Sequence, residues 1–301
     1  MAQSILLVNF FLFIFAVFLL YNCSNIFRYY FRVCYLNIYC FLVTLCMCPL
    51  LVLRGRNVTN LRIIRFFMLP LKYILGIKMN LQDAAHLNLK GPYVVVANHQ
   101  SNIDLLVLFQ ILPERCILIV KKTVLSFFTI GICAWLSHCI FVDRQKTGTS
   151  IEIPSAAADS MVRDNLRIWI FTEDTRSYDS PMLPFKCGAF HLAVKAQVPV
   201  IPVVISSYQP FFSEKLKRFR TGEVTIRILP PVKTEGLSPA DVPELTDHMR
   251  ETMLSTFHEI SGSKKTNQSR YQFPRILEYN LPCILFACLL ILGFYTTTEV
   301  A

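Results

Sequence analysis

The chain has little charge, and its first quarter has no negative charge at all. Asp, Glu, Lys and Arg account for 17% of the 301 residues and hydrophobic residues for 53%, whereas roughly a quarter of a typical soluble domain is charged. The first acidic residue is Asp83, although several Lys and Arg residues precede it. This composition excludes a typical soluble enzyme, and the one-sided charge suits contact with an anionic membrane surface.

The sequence also lacks the cysteine spacing of a metal site. Of its 11 cysteines, most lie either between Cys23 and Cys48 or at Cys283 and Cys288, in or beside apolar stretches. No Cys-x-x-Cys pair occurs. The pattern predicts neither a zinc site nor a disulfide framework.

Three apolar runs lie near the two ends of the chain, at residues 5–21, 33–53 and 281–295. Crossing a bilayer core takes roughly 20 apolar residues, so the second run is the best candidate for a spanning helix. We predict two membrane segments within residues 1–56 and a possible further one within 263–301. A secretory signal peptide is the alternative for the first run. A signal peptide has positively charged residues before its apolar stretch, whereas no Lys or Arg precedes this run.

Residues 54–78 mix Lys and Arg with apolar residues at an approximately helical spacing. Such a segment is typical of a helix that lies in the membrane interface, and a solvated helix face is the alternative. Positive charge after the second apolar run favours a cytosolic position for the large domain. Arg28 and Arg32, which precede that run, argue the other way.

Residues 57–262 form the predicted large domain, in which the basic lead-in to about residue 80 is followed by short apolar strands that alternate with helical stretches. The predicted strands are residues 93–97, 116–120, 167–171, 200–205 and 224–229. One predicted helix follows Asp104, and three more cover residues 155–162, 188–196 and 243–260. This alternation predicts an α/β domain with a mostly parallel sheet flanked by helices, in which the loops at strand ends usually carry the chemistry.

One such loop holds a histidine and a carboxylate. His99 follows the strand at residues 93–97, and Asp104 lies five positions further on. On a regular helix these side chains would point about 140° apart, so they can meet only if loop backbone separates them. Asn98, Ser101 and Asn102 favour such a loop. The sequence therefore offers a candidate histidine base with an acidic partner.

Three further blocks lie at or near strand ends, at residues 141–144, 171–176 and 198–202. The first two end in Arg144 and Arg176, whose guanidinium groups suit a phosphate, and Lys121 or Lys122 would add a further charge. Taken singly, these cations are as readily explained by surface ion pairs. The third block is apolar and rigid, as at the start of a buried strand.

As an ordered set, the four blocks resemble those of the 1-acylglycerol-3-phosphate acyltransferases, within the wider glycerolipid acyltransferase family. The resemblance covers roughly residues 60–262 and includes residues 184–191. It implies that His99 and Asp104 form a catalytic dyad. The acceptor's glycerol phosphate would be bound by Lys121, Phe141, Arg144, Glu173, Thr175 and Arg176. The fourth block, with Pro199, Ile201 and Pro202, would bind substrate or build the fold around it.

The resemblance also implies a reaction. His99 would take the proton from the free hydroxyl of lysophosphatidic acid as that oxygen attacks the thioester of acyl-CoA, and Asp104 would orient the imidazole. Acyl-CoA is then a co-substrate, and no cofactor or metal is required. The expected setting is the lipid bilayer of the endoplasmic reticulum, with no nucleic acid and no protein partner.

The third block departs from the family pattern Phe-Pro-Glu-Gly-Thr-Arg, because Thr172 replaces Pro and Asp174 replaces Gly. A carboxylate about 5 Å from a phosphate would cost on the order of 3 kcal/mol per unit charge at an effective dielectric near 20. Activity would then fall roughly a hundredfold. Two alternatives stay open: an acyltransferase for another lysophospholipid or glycerol phosphate, and a catalytically silent lipid-binding protein.

Overall fold

A seven-stranded sheet forms the centre of the computed structural model, which describes residues 2–142, 156–173, 175–176 and 182–262. The strands are β1 Ile77–Gln82, β2 Tyr93–Ala97, β3 Cys116–Lys121, β4 Ile140–Val142, β5 Arg167–Phe171, β6 Val200–Ile205, β7 Phe212–Ser213, β8 Arg218–Phe219 and β9 Gly222–Ile228. Their order in the sheet is β1-β9-β6-β2-β5-β3-β4, while β7 and β8 form a separate hairpin. All neighbours in the large sheet are parallel except β6 and β9.

The five predicted strands are confirmed, and the mostly parallel sheet with them. Strands β2 and β6 are buried at every position, as expected for strands covered on both faces. The sequence did not predict β1 and β4. Strand β1 lies at one edge of the sheet, alternates apolar and polar residues, and buries only Ile77, and β4, at the other edge, is only three residues long.

Helices cover both faces of this sheet. They are α1 Ala2–Cys23, α2 Asn25–Arg54, α3 Asn60–Met68, α4 Leu71–Ile74, α5 Asp104–Ile111, α6 Phe128–Leu136, α7 Ala156–Arg163, α8 Gly188–Ala196 and α9 Val242–Gly262. Apolar residues of α2, α3, α5 and α6 pack on one face of the sheet, and those of α7, α8 and α9 pack on the other. The sequence predicted α5, α7, α8 and α9 but not α6.

Helices α1 and α2 are both long and apolar enough to cross a membrane. Most of the α1 surface is exposed, whereas α2 packs against the domain near its start, its middle and its end. Near its start, Arg32 donates to the backbone oxygen of Leu75. In its middle, the hydroxyls of Thr44 and Thr129 lie 3.0 Å apart, and near its end Arg54 contacts Asn60. Helix α2 therefore lies along the domain.

Helix α2 begins eight residues before the apolar run that predicted it, because its two early cations have partners. Arg28 donates to the carbonyl oxygens of Tyr21 and Asn22 at the end of α1. The guanidinium of Arg32 lies 4.7 Å from the centre of the Phe219 ring in β8. Arg28 thus contacts the end of α1, and Arg32 contacts the domain.

The basic segment at residues 54–78 contains two helices, α3 and α4, and residues 55–59 before them are not helical. Helix α3 buries Leu61 and Ile64 and exposes Phe66 and Phe67, so part of its apolar surface faces outward. The predicted helical stretch ends earlier than expected, at α4, and Lys78 belongs to β1. The possible C-terminal membrane segment lies outside the described residues.

Candidate active site

The loop between β2 and α5 brings the predicted dyad together. The Nδ1 atom of His99 lies 2.7 Å from Oδ2 of Asp104, which is the first residue of α5. The same oxygen accepts hydrogen bonds from the backbone N–H groups of Gln100, at 2.6 Å, and Ser101, at 2.9 Å. Three donors therefore fix one carboxylate oxygen, and the α5 N-terminus favours its negative charge.

Loop backbone between the two residues makes this contact possible, as the five-residue spacing predicted. The hydroxyl of Ser101 accepts a hydrogen bond from the backbone N–H of Ile103 at 3.0 Å, which bends the chain back towards His99. Asp104 is buried, whereas 19% of the His99 side chain is exposed. The histidine thus faces the surface while its partner lies beneath it.

This geometry selects one tautomer of His99. A carboxylate only accepts hydrogen bonds, so Nδ1 carries the proton that it donates to Asp104, and Nε2 keeps a lone pair. The imidazole also stacks on the ring of Phe171 at the end of β5, with 4.3 Å between ring centres. The arrangement is that of a base held in position, with a carboxylate to stabilise the imidazolium.

Glu173 joins the His99 loop to two other segments. Its side chain is buried, and its Oε1 accepts a hydrogen bond from the backbone N–H of His99 at 2.7 Å. Its Oε2 accepts one from the backbone N–H of Leu183 at 2.8 Å. The family resemblance implies that Glu173 binds the acceptor, but these contacts favour a role in positioning His99.

Thr172 departs from the family pattern and adds a contact at the same place. Its backbone N–H donates to the carbonyl oxygen of Ala97 at the end of β2, at 3.3 Å. A proline here has no N–H to donate. This departure therefore fits the local structure. The second departure, Asp174, lies outside the described residues.

The other cationic and aromatic residues predicted for the acceptor site follow neighbouring strands. Lys121 ends β3 and is exposed, Phe141 belongs to β4, and the exposed Thr175 and the half-buried Arg176 follow β5. Strands β2, β5, β3 and β4 are adjacent and parallel, so their carboxyl ends lie at the same end of the sheet, where His99 also lies. At about 4.8 Å per strand, β3 lies roughly 10 Å from β2. Arg144 lies outside the described residues.

The three residues predicted from the fourth block lie in or before β6. Pro199 precedes the strand, at the amino ends of the parallel strands, whereas His99 lies at their carboxyl ends. The carbonyl oxygen of Pro199 accepts a hydrogen bond from the backbone N–H of Val94 at 3.0 Å. Ile201 is fully buried in the core, and Pro202 pairs with Val96 inside the sheet. The resemblance implies that these residues either bind substrate or build the fold around it, and their positions favour the second role.

Sequence reasoning missed the side chains that hold the His99 loop against β6. The amide of Asn98 donates to the carbonyl oxygen of Ile205 and accepts from its N–H, at 3.0 and 2.8 Å. The Gln100 amide donates to the carbonyl oxygens of Ile205 and Ser206, both at 3.0 Å. The two amides flank His99 in the sequence, and this polar clustering was the available signal.

A small crevice of about 60 Å³ connects this loop to α2. Residues 101–103 form its wall on the loop side, and Arg176 also lines it. The remaining lining residues are Tyr29, Val33 and Leu36 of α2, with Phe212, Glu214 and Phe219 from the β7–β8 hairpin. Apolar residues of α2 and the cation Arg176 thus share a crevice next to the loop that carries the dyad. Within the described ranges, no cluster of His, Cys, Asp and Glu is suited to a metal ion.

Comparison with known proteins gives a consistent result. The Acyltransferase family model matches residues 76–206, which contain all of the dyad, Glu173 and β6. The crystal structure of the 1-acyl-sn-glycerophosphate acyltransferase PlsC from Thermotoga maritima superposes with a TM-score of 0.58. That superposition covers 77% of this chain and 98% of PlsC at 19% identity, so it supports the fold alone.

Sequence relatives extend the match over most of the chain. The 1-acyl-sn-glycerol-3-phosphate acyltransferase alpha of Homo sapiens is 45% identical over 242 residues, covering 80% of this chain and 86% of the relative. The human beta enzyme is 39% identical over 251 residues, covering 83% and 90%. The Saccharomyces cerevisiae enzyme is 35% identical over 217 residues. The chain therefore belongs to the 1-acyl-sn-glycerol-3-phosphate acyltransferase family, as its ordered motifs predicted.

Proposed function

We propose that the protein transfers an acyl group from acyl-CoA to the sn-2 hydroxyl of 1-acyl-sn-glycerol 3-phosphate and so produces phosphatidic acid. The observation that carries this proposal is the 2.7 Å contact between His99 and Asp104, which leaves Nε2 as a base. The activities for which these relatives are named support the choice of acceptor.

The proposed step balances without a metal or a covalent acyl-enzyme. Nε2 of His99 takes the hydroxyl proton while the hydroxyl oxygen bonds to the thioester carbonyl carbon. The carbon–sulfur bond then breaks, and coenzyme A leaves as a thiolate. The imidazolium returns its proton to that sulfur, and throughout this exchange Asp104 holds the imidazole and stabilises its positive form.

The substrates are amphiphilic, and the surroundings of the dyad suit them. Lys121 and Arg176, with Arg144 outside the described residues, supply positive charge for the acceptor phosphate. The crevice between the loop and α2 gives an aliphatic chain an apolar wall beside the reacting groups. Glu173 then acts through the His99 backbone rather than on the acceptor.

We further propose a multi-pass protein of the endoplasmic reticulum membrane with its catalytic domain in the cytosol. The candidate spans are α1 and the apolar run at residues 281–295, because α2 lies along the domain. The exposed apolar surface of α1 supports insertion into lipid. Cations cluster where α1 meets the domain: Arg28 and Arg32 on α2, with Lys217 and Arg220 near the β7–β8 hairpin. Positive charge on the domain side is the pattern of a cytosolic domain.

A test of the acceptor uses membranes that express the full chain, labelled oleoyl-CoA and four acceptors offered separately. Labelled product is expected from lysophosphatidic acid and not from glycerol 3-phosphate, lysophosphatidylcholine or lysophosphatidylinositol. Release of free thiol should match product one to one. A different preferred acceptor would replace the substrate assignment, and no product from any acceptor would favour the silent lipid-binding protein.

Asp174 is the feature that favours a catalytically silent lipid-binding protein. If its carboxylate lies beside the acceptor phosphate, Asp174→Gly should lower the KM for lysophosphatidic acid, by up to roughly a hundredfold at close range. Asp174→Asn keeps a side chain but removes the charge, so an equal effect in both variants identifies repulsion as the cause. A gain in Asp174→Gly alone would instead identify backbone freedom. Unchanged KM values in both variants would reject any effect of Asp174 on acceptor binding.

A further inference from the structure

The second oxygen of the Asp104 carboxylate lies in an unusual environment. Whereas Oδ2 accepts three hydrogen bonds, Oδ1 is buried and has no hydrogen-bond partner within the described part of the chain. Leaving a buried carboxylate oxygen unpaired costs free energy, so such atoms usually have a donor nearby. The hydroxyl of Tyr208 is also buried and, among the described residues, also unpaired.

Several contacts hold Tyr208 next to the dyad. Its backbone N–H donates to the side-chain oxygen of Gln100 at 3.3 Å, in the same loop whose backbone binds Asp104. Its ring packs edge-on against Phe211, with 5.7 Å between the centres. Only 2% of Tyr208 is exposed. The side chain is thus enclosed, and its hydroxyl lies close enough to Asp104 to interact with that carboxylate.

The ionisation of Tyr208 is consistent with this placement. Burial raises the pKa of its hydroxyl well above the usual value, and the nearby negative charge of Asp104 raises that pKa further. The hydroxyl therefore stays protonated at any physiological pH and is available as a donor. The other ionisable groups here are His99, Glu173 on the His99 backbone, and Arg176 at the crevice.

We propose that Tyr208 is a positioning residue of the dyad, whose hydroxyl donates to Oδ1 of Asp104 and so orients the carboxylate for His99. A small movement of either buried side chain completes the bond. Both carboxylate oxygens are then held, and the carboxylate plane stays aligned with the imidazole. This inference rests on the proposed function, since it gives Tyr208 a role only through the dyad.

Removing the hydroxyl has a consequence that packing alone does not produce. A hydrogen bond to Oδ1 spreads the carboxylate charge away from His99. Without that bond, the carboxylate attracts the imidazolium more strongly, and His99 keeps its proton to a higher pH. The acid limb of the pH profile should therefore move to higher pH.

The test is Tyr208→Phe in the full chain, which keeps the ring and removes only the hydroxyl. We expect kcat/KM to fall about tenfold at neutral pH and its acid limb to move up by about half a pH unit. A readout without turnover is the reaction of His99 with diethyl pyrocarbonate, which requires neutral imidazole. Its rate, followed on the His99 peptide by mass spectrometry, should show the same pH displacement.

Tyr93→Phe is the matched control, because it removes another buried tyrosine hydroxyl, which donates to the carbonyl oxygen of Leu87 at 2.7 Å. It should leave both pH profiles in place. Unmoved profiles in Tyr208→Phe, with kcat/KM within twofold of the original, would overturn the proposal. The His99→Ala variant, assayed in parallel, separates the hypotheses: if it stays active, the proposed dyad mechanism fails, whereas if it is inactive, only the role of Tyr208 is in question.

Discussion

His99→Ala is expected to lower kcat by a factor of about 10³ or more while the domain stays folded. General base catalysis by a positioned side chain contributes roughly 10² to 10⁴, and Nε2 of His99 is the base in the proposed step. The fold should tolerate the change because His99 lies on a loop and is partly exposed. Asp104 would also keep its bonds from the backbone of Gln100 and Ser101.

The measurement is the initial rate of transfer from labelled acyl-CoA, at saturating acceptor, with equal amounts of folded protein. His86→Ala is a suitable control, because His86 contacts the carbonyl oxygen of Ile228 and not the dyad. Asp104→Asn should cost roughly as much as the His99 change, since a neutral amide cannot stabilise the imidazolium. Full activity in His99→Ala would reject the assignment of the base.

Glu173→Ala is expected to have the largest effect outside the dyad, by displacing His99 rather than by releasing the acceptor. The buried carboxylate accepts hydrogen bonds from the backbone of His99 and Leu183. Alanine leaves both N–H groups without these acceptors, at a cost of about 1–3 kcal/mol each. We expect the melting temperature to fall and kcat to drop about a hundredfold, because a misplaced base loses much of its effect.

Steady-state kinetics distinguish this positioning role from acceptor binding. If Glu173 positions His99, kcat should fall and the KM for lysophosphatidic acid should change little. Glu173→Gln should be intermediate, since its side chain has one oxygen for two donors. Glu244, in the first turn of α9, offers a surface control whose replacement by Ala should alter neither parameter. A raised KM at unchanged kcat would return Glu173 to the acceptor site.

The sequence predicted those parts of the fold that local pattern encodes. The strand at residues 93–97 is a continuous apolar run because both faces of β2 are covered, and that run can be recognised without its neighbours. The edge strands β1 and β4 were missed for the opposite reason. One buries only Ile77 and the other is very short, so neither forms a continuous apolar run, and pairing with β9 and β3 is what makes them strands.

The same division applies to the site. The spacing of His99 and Asp104 determined by itself that these two side chains could meet only across a loop, and the polar residues between them favoured that loop. Only the tertiary structure placed the Glu173 carboxylate on the His99 backbone and brought Tyr208, from the segment that follows β6, to the loop of the dyad. Motif spacing describes neighbours along the chain, whereas a buried donor or acceptor is satisfied by whichever segment packs against it.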